Sequence, residues 1–228
     1  MSKFGVDNNI FKKLLQLLRF LKYHTKTKYV KIMNESFLFL AQGFEEVEAL
    51  TAVDVLRRAG IPVKTVSITS ALQVEGAHGV VVNADLLYDN TLFGSPEWLI
   101  LPGGMPGATN LYEFAPLRGL LKRQSESAAG KIAAICAAPA VVLGQLGLLD
   151  GKKATCYPGF EEMLHGARAD AAPVVVDGKF VTANGPSTAL QWALTIVKET
   201  KGTDIAVQVA NGMLLYPKSN AGLGNFFG

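Results

Sequence analysis

The stretch Lys131-Ile132-Ala133-Ala134-Ile135-Cys136-Ala137-Ala138-Pro139 carries the strongest chemical signal in the chain. A short apolar strand runs straight into a cysteine, and the residues after it are built to open a helix. Ala137 and Ala138 are small enough for a tight strand-to-helix turn. Pro139 suits the first helical position, where a missing N–H costs nothing. Such an elbow puts a thiol at a helix N-terminus, where the dipole and free N–H groups favour the thiolate, the reactive form of cysteine. The competing reading is plain core, because free cysteine packs as a small hydrophobe.

A reactive thiol needs a group that handles its proton. Glu48 is the candidate, on the first predicted helix just beyond the first predicted strand. A carboxyl buried beside a thiolate tends to keep its proton, because like charges disfavour joint ionisation. It could then donate a hydrogen bond to sulfur and pass a proton to a substrate. The competing reading for Glu48 is a solvated helix face. Glu45 and Glu46 read as first-turn charges that complement the helix dipole. Gly103-Gly104 follows another strand and reads either as a plain turn or as a backbone N–H aimed at the same place. With the amides of Cys136 and Ala137, the Gly104 amide would form an oxyanion pocket, a device worth ~3–4 kcal/mol per well-placed donor.

The elements that must position these groups follow from hydrophobic pattern. Phe37 to Ala41 is a continuous apolar run of strand length, followed by Gly43 and a helical pattern through Val47, Leu50, Val53 and Leu56. Gly60 and Pro62 punctuate its end, and Val63 to Ile68 is a second β-branched strand. Strand, helix and strand with short connections make a parallel βαβ unit. Residues 71–87 read as a hairpin insertion turning at Gly76 and Gly79. Trp98 to Leu101 is a buried strand, and 111–128 a helix broken near Pro116. A helix is expected from Ala138 to Leu146 and a short strand from Lys153 to Thr155. Val174 to Thr182 reads as a hairpin with an Asp177-Gly178 turn. Helices are expected over 187–200 and 203–213. The pattern defines an α/β, doubly wound sandwich with a mostly parallel sheet and helices on both faces, in which ligands bind beyond the carboxyl ends of the strands. Gly43 to Glu48, Gly103-Gly104 and Cys136 all fall at such ends.

Charge divides the chain. Residues 1–32 carry +7 and residues 33–228 carry −4, so the net +3 belongs to the N-terminal extension. The main body lacks the clustered Lys and Arg of a nucleic-acid surface. In the extension, Phe11, Leu14, Leu15, Leu18 and Leu21 recur at helical spacing opposite Lys12, Lys13, Arg19 and Lys22. That pattern fits a basic amphipathic helix on a membrane surface. The preferred expectation is an ill-fixed appendage or a translation start at Met33 instead. Membrane contact follows only if the extension is real. Residues 33–217 are read as one domain and 218–228 as a flexible Gly- and Asn-containing tail. Two cysteines make no disulfide framework and point to a reducing, cytoplasmic setting. His24, His78 and His165 have no metal-ligand spacing, so no metal site is expected.

Four ordered segments now carry a resemblance: Ala41-Gln42-Gly43-Phe44-Glu45-Glu46-Val47-Glu48, Leu101-Pro102-Gly103-Gly104, Ala133-Ala134-Ile135-Cys136-Ala137-Ala138-Pro139 and Asn184-Gly185-Pro186-Ser187-Thr188-Ala189. Over about residues 35–217 the chain resembles the ThiJ/PfpI superfamily, in its DJ-one-like branch, which includes the YajL-type proteins. The resemblance implies a flavodoxin-like sandwich, a homodimer and no cofactor. It implies Cys136 as nucleophile, Glu48 as protonated partner, and the Gly104 and Ala137 amides as pocket. It also implies glyoxalase III chemistry on methylglyoxal, or deglycation of early protein or nucleotide adducts. The alternative it implies is a redox-sensing or chaperone role in oxidative stress, with Cys136 oxidised to sulfinic acid. Many members of that branch place a histidine in a Thr-x-His-Pro-like segment. This chain has Thr155-Cys156-Tyr157-Pro158, and a phenol with an ordinary pKa of ~10 is a poor base at neutral pH. Proton handling then falls to Glu48, with Tyr157 and Gly103 in support. The protease branch has histidine directly after its cysteine; Ala137 in that place speaks against a peptidase. Cys156 and Tyr157 point to opposite faces if the segment is extended, which disfavours Cys156 as a resolving thiol.

Overall fold

A computed structural model of the chain describes residues 35–215. The readings made for the basic extension and for the Gly- and Asn-containing tail lie outside those residues. The central strand β1 (Ser36–Leu40) is buried along its whole length. Phe37 and Phe39 point into one core, Leu38 and Leu40 into the other, as the two-residue period of a strand dictates. Both faces being covered explains why the strand reads as an unbroken apolar run.

Helix α1 (Glu46–Arg58) follows, then β2 (Val63–Ser67), parallel to β1. Strands β3 (Gln73–Glu75) and β4 (Val81–Asn83) form a separate antiparallel hairpin. The hairpin is thus shorter than the expected 71–87. Leu86–Leu87, read as its end, is instead β5, an edge strand of the main sheet beside β2. A two-residue strand has too little pattern to be seen in sequence. Strand β6 (Trp98–Leu101) leads to α2 (Gly107–Glu113) and α3 (Ala115–Glu126). The helix break falls at Phe114, and α2 starts four residues earlier than its apolar pattern shows.

Strand β7 (Lys131–Ile135) enters the elbow and a short π-helical segment, Pro139–Gly144, leaves it with proline in its first turn. Strands β8 (Lys153–Ala154) and β9 (Arg168–Ala169) pair only with each other. The hairpin β10 (Val174–Asp177) and β11 (Phe180–Ala183) pairs Asp177 with Phe180, so its turn residues are Gly178 and Lys179, one later than the Asp177-Gly178 turn read from the sequence. Helices α4 (Ala189–Lys201) and α5 (Thr203–Gly212) complete the fold.

The seven-stranded sheet runs β10-β11-β7-β6-β1-β2-β5, parallel except for the β10 edge. This is a flavodoxin-like, doubly wound α/β fold. The chain leaves β1 toward β2 and returns on the other side as β6, which makes the β1/β6 junction the topological switch point. Helices α1, α4 and α5 cover one face; α2, α3 and the π-helical segment cover the other.

Candidate active site at the cysteine elbow

The carboxyl ends of β1, β6 and β7 deliver three loops to one place. Cys136 follows β7 with φ +63°, a left-handed conformation rare for a residue with a side chain. Its N–H donates to Ala183 O at 2.9 Å, continuing the β7–β11 ladder. The Cys136 amide is therefore spent on the sheet and is not part of an oxyanion pocket, contrary to the sequence expectation. The strained turn then swings the thiol out of the sheet toward the switch point.

Glu48 is fully buried, not the solvated helix-face residue that spacing alone favours. Helix α1 aims it inward because Glu45 caps the helix start, its Oε2 accepting from the Glu48 N–H at 2.7 Å. Glu48 Oε2 accepts from the Gly103 N–H at 2.7 Å. The carboxyl also meets the Cys136 sulfhydryl, while Oε1 has no conventional partner. Gly103 thus supports the site by holding Glu48 and does not present its N–H to a ligand. The Gly104 and Ala137 N–H groups lie close enough to the sulfur to pull its pKa down. Gly104 does so from φ +84°, with Glu45 N and Gly43 O packed where a Cβ would go.

Burial pushes the Glu48 carboxyl up to about 7, against the opposing pull of the Gly103 amide and the Cys136 thiol. Burial, followed by the Glu48 charge and hydrogen bond, pushes the Cys136 thiol up to about 12, while the Gly104 and Ala137 amides pull it down. The helix-terminus effect expected from the sequence is thus outweighed by desolvation and by the neighbouring carboxylate. Both upward pushes from Glu48 belong to its ionised form. When Glu48 holds a proton, its charge is gone and its O–H can donate to sulfur. Above about pH 7 the two groups therefore share one proton, and their titrations belong to the pair.

Glu46, read as a first-turn charge, has a different task. Its two oxygens accept from the His78 N–H and pair with His78 Nδ1, both at 2.7 Å, and so pin the β3–β4 hairpin onto α1. Burial raises the Glu46 pKa, but the His78 contacts more than offset it and leave it lowered, while His78 is raised by its bond to Glu46. The sequence expected no metal ligands. Here Glu45, Glu46 and His78 place one ligand atom each within 4.8 Å of one another, and those carboxylates are engaged in capping and pinning. The pinning pair is 32 residues apart, too far for spacing rules to suggest.

Tyr157 reaches the elbow through its main chain: its N–H donates to Cys136 O at 2.8 Å. The segment is anchored again by Thr155 N–H to Thr182 Oγ1 at 3.0 Å. Tyr157 is 45% exposed as a residue, and its ring stands edge-on to Phe160 and close to Gly185. Cys156 points away into the core on the other face of the sheet from Cys136. Burial, then the Glu161 charge, pushes its thiol up to about 11.

A doubly wound α/β protein with a strained cysteine elbow and a buried carboxyl partner is the class these features define. The DJ-1/PfpI family model matches residues 35–199, and the chain belongs to that family, in its DJ-1-like branch. DJ-1 homolog B of Arabidopsis thaliana is 39% identical over 180 residues, covering 78% of this chain and 41% of that protein. The chain thus spans less than half the length of that relative. A protein named deglycase from Pyrococcus abyssi is 31% identical over 71% of this chain and 96% of its own length. The solved structure of oxidized Toxoplasma gondii DJ-1 superposes with a TM-score of 0.75 at 36% identity, covering 81% of this chain and all of that one. Among the described residues no helix is long and apolar enough to cross a membrane.

Proposed function

We propose that this chain is a cofactor-independent, cysteine-dependent glyoxalase III/deglycase-type enzyme of the cytoplasm, acting on α-oxoaldehydes such as methylglyoxal or on their early protein or nucleotide adducts. The observation that carries the reading is the Cys136 thiol set at a strained elbow beside the buried Glu48 carboxyl, across Gly103, with the Gly104 and Ala137 amides near the sulfur. The deglycase name of the Pyrococcus relative supports the same chemistry.

The sulfur of Cys136 adds to the aldehyde carbon as its proton passes to Glu48. The amides hold the developing oxyanion. Glu48 hands that proton to the oxyanion, giving a hemithioacetal, and, ionised again, takes the hydrogen from the same carbon and delivers it to the neighbouring carbonyl carbon, while the hemithioacetal hydroxyl proton passes to the second oxygen. The product is a 2-hydroxyacyl thioester. Water cleaves it, releasing a 2-hydroxy acid and restoring the thiol, so the net reaction adds one water and is redox-neutral. Formation of lactate from methylglyoxal by the full chain, lost in Cys136→Ala, tests this; undiminished lactate from that variant overturns it.

A second reading is redox sensing or a chaperone role. It is favoured by the oxidized state of the Toxoplasma relative, and the same carboxyl and amides would hold a sulfinate at Cys136. Mass spectrometry of Cys136 after mild peroxide separates the two readings. The homodimer belongs to the proposal too. Val47 and Leu50 on α1 and Val80 and Val81 at the hairpin pinned to α1 are exposed, each by two fifths or more, and supply apolar surface for such a contact. A monomeric mass in solution would remove that part.

A further inference from the structure

Tyr157 is a large, half-exposed aromatic residue whose main chain meets the elbow and which the chemistry above does not use. Its main-chain N–H is hydrogen-bonded to the Cys136 carbonyl, which fixes the start of the side chain beside the nucleophile. Thr155, two residues earlier, is tied to Thr182, the residue before the end of β11. The segment is thereby clamped to both strands that frame this side of the crevice, β7 and β11. The ring lies over Gly185, just past β11, where an added Cβ would sit 3.6 Å from it. Phe160 packs edge-on behind it, with centroids 6.2 Å apart and planes at 80°. One side of the ring is buttressed by these contacts, yet 45% of the residue remains open. A supported, half-exposed aromatic residue whose main chain is bonded to the nucleophile's own carbonyl is suited to be a stacking platform.

We propose that Tyr157 is a specificity-determining residue whose ring face binds the non-reacting part of the substrate and selects flat, apolar groups there. This inference rests on the α-oxoaldehyde chemistry proposed above and narrows it to substrates carrying an aryl or similarly planar substituent. The role belongs to the ring face, not to the hydroxyl. Aromatic pairs are worth enough to change affinity by about 2- to 12-fold. An effect of that size falls on KM, because the stacked group does not change as the reacting carbons do.

The test compares phenylglyoxal with methylglyoxal in the wild-type chain, Tyr157→Ala and Tyr157→Phe. Tyr157→Ala should lower kcat/KM for phenylglyoxal, mainly through KM, by about 2- to 12-fold more than it lowers kcat/KM for methylglyoxal. Tyr157→Phe should keep the wild-type ratio between the two aldehydes. Equal losses on both aldehydes overturn the inference, as does a Tyr157→Phe loss matching that of Tyr157→Ala. If the wild-type chain turns over neither aldehyde, the proposed function fails, and binding decides the inference alone. In the Cys136→Ala background, adding Tyr157→Ala should then weaken mandelate binding by the same factor relative to lactate binding. Unaltered mandelate binding overturns it.

Discussion

Glu48 reaches Cys136 across a residue that has no side chain. A Cβ on Gly103 would lie 2.7 Å from Cys136 Cβ and 2.9 Å from Glu48 Oε2, closer than packed atoms approach. The same residue's N–H holds Glu48 Oε2. Gly103 therefore sets the separation of acid and thiol in two ways at once. Gly103→Ala must push the pair apart. A displacement of about 1 Å can cost about 100-fold in rate. The expected outcome is a loss of that order in kcat for methylglyoxal, with the thiol still present by titration under denaturing conditions. Near wild-type kcat would show that the contact is not needed.

Glu48 also makes stability depend on pH. Its pKa is raised by burial from 4.5 to about 7, so the folded chain holds a proton there that the unfolded chain releases. The contribution is fully present below pH 4.5 and is lost as pH rises through about 7. The shift corresponds to roughly 3 kcal/mol between those limits. Glu48→Gln keeps the shape and removes the titration. At pH 8 it should unfold at higher denaturant than wild type, with the gap closing toward pH 4.5, while turnover is lost. A variant less stable than wild type at pH 8 would contradict the burial cost.

The apolar strands and the elbow were legible because they are local. Ile132 to Ile135, Cys136 and Pro139 state the turn in nine consecutive residues. The destinations of the backbone N–H groups were not legible. Cys136 N–H is taken by Ala183 because β7 pairs with β11 to its last residue, a register no single segment contains. Gly103 reads in the sequence only as a turn or a supporting residue, and only the placement of α1 shows that Glu48 claims its N–H. A helix pattern gives the side on which Glu48 lies but not the depth to which that side is buried. The Glu46–His78 pin is similarly a product of tertiary placement.

The shared proton has a kinetic signature. The Glu48–Cys136 pair loses its first proton near 7 and its second near 12. Within the singly protonated pair a fixed fraction carries the thiolate. Alkylation of Cys136 should therefore rise through about pH 7 and then level, instead of climbing through the ordinary thiol range near 8.5. Cys156 lacks a carboxyl partner to take its proton and titrates near 11. It should stay unmodified across that range and form no disulfide with Cys136 under peroxide. Rates followed by peptide mass spectrometry from pH 5 to 10 decide the point. A Cys136 profile with its midpoint near 8.5 would rule out the pair.

The elbow itself stores strain. At φ +63° a side chain crowds its own backbone, at a cost of about 1–2 kcal/mol that glycine escapes. Cys136→Ala removes the sulfur but keeps the Cβ, and with it the strain. Cys136→Gly removes both. Even after the greater backbone entropy of glycine in the unfolded chain, Cys136→Gly should be the more stable of the two inactive variants, by about 1 kcal/mol. Denaturant unfolding with unchanged slope measures the difference. If Cys136→Ala is the more stable, the left-handed conformation costs the fold nothing, and the exposure of the thiol at the elbow is not a strained arrangement held by β7, β11 and the segment after Pro139.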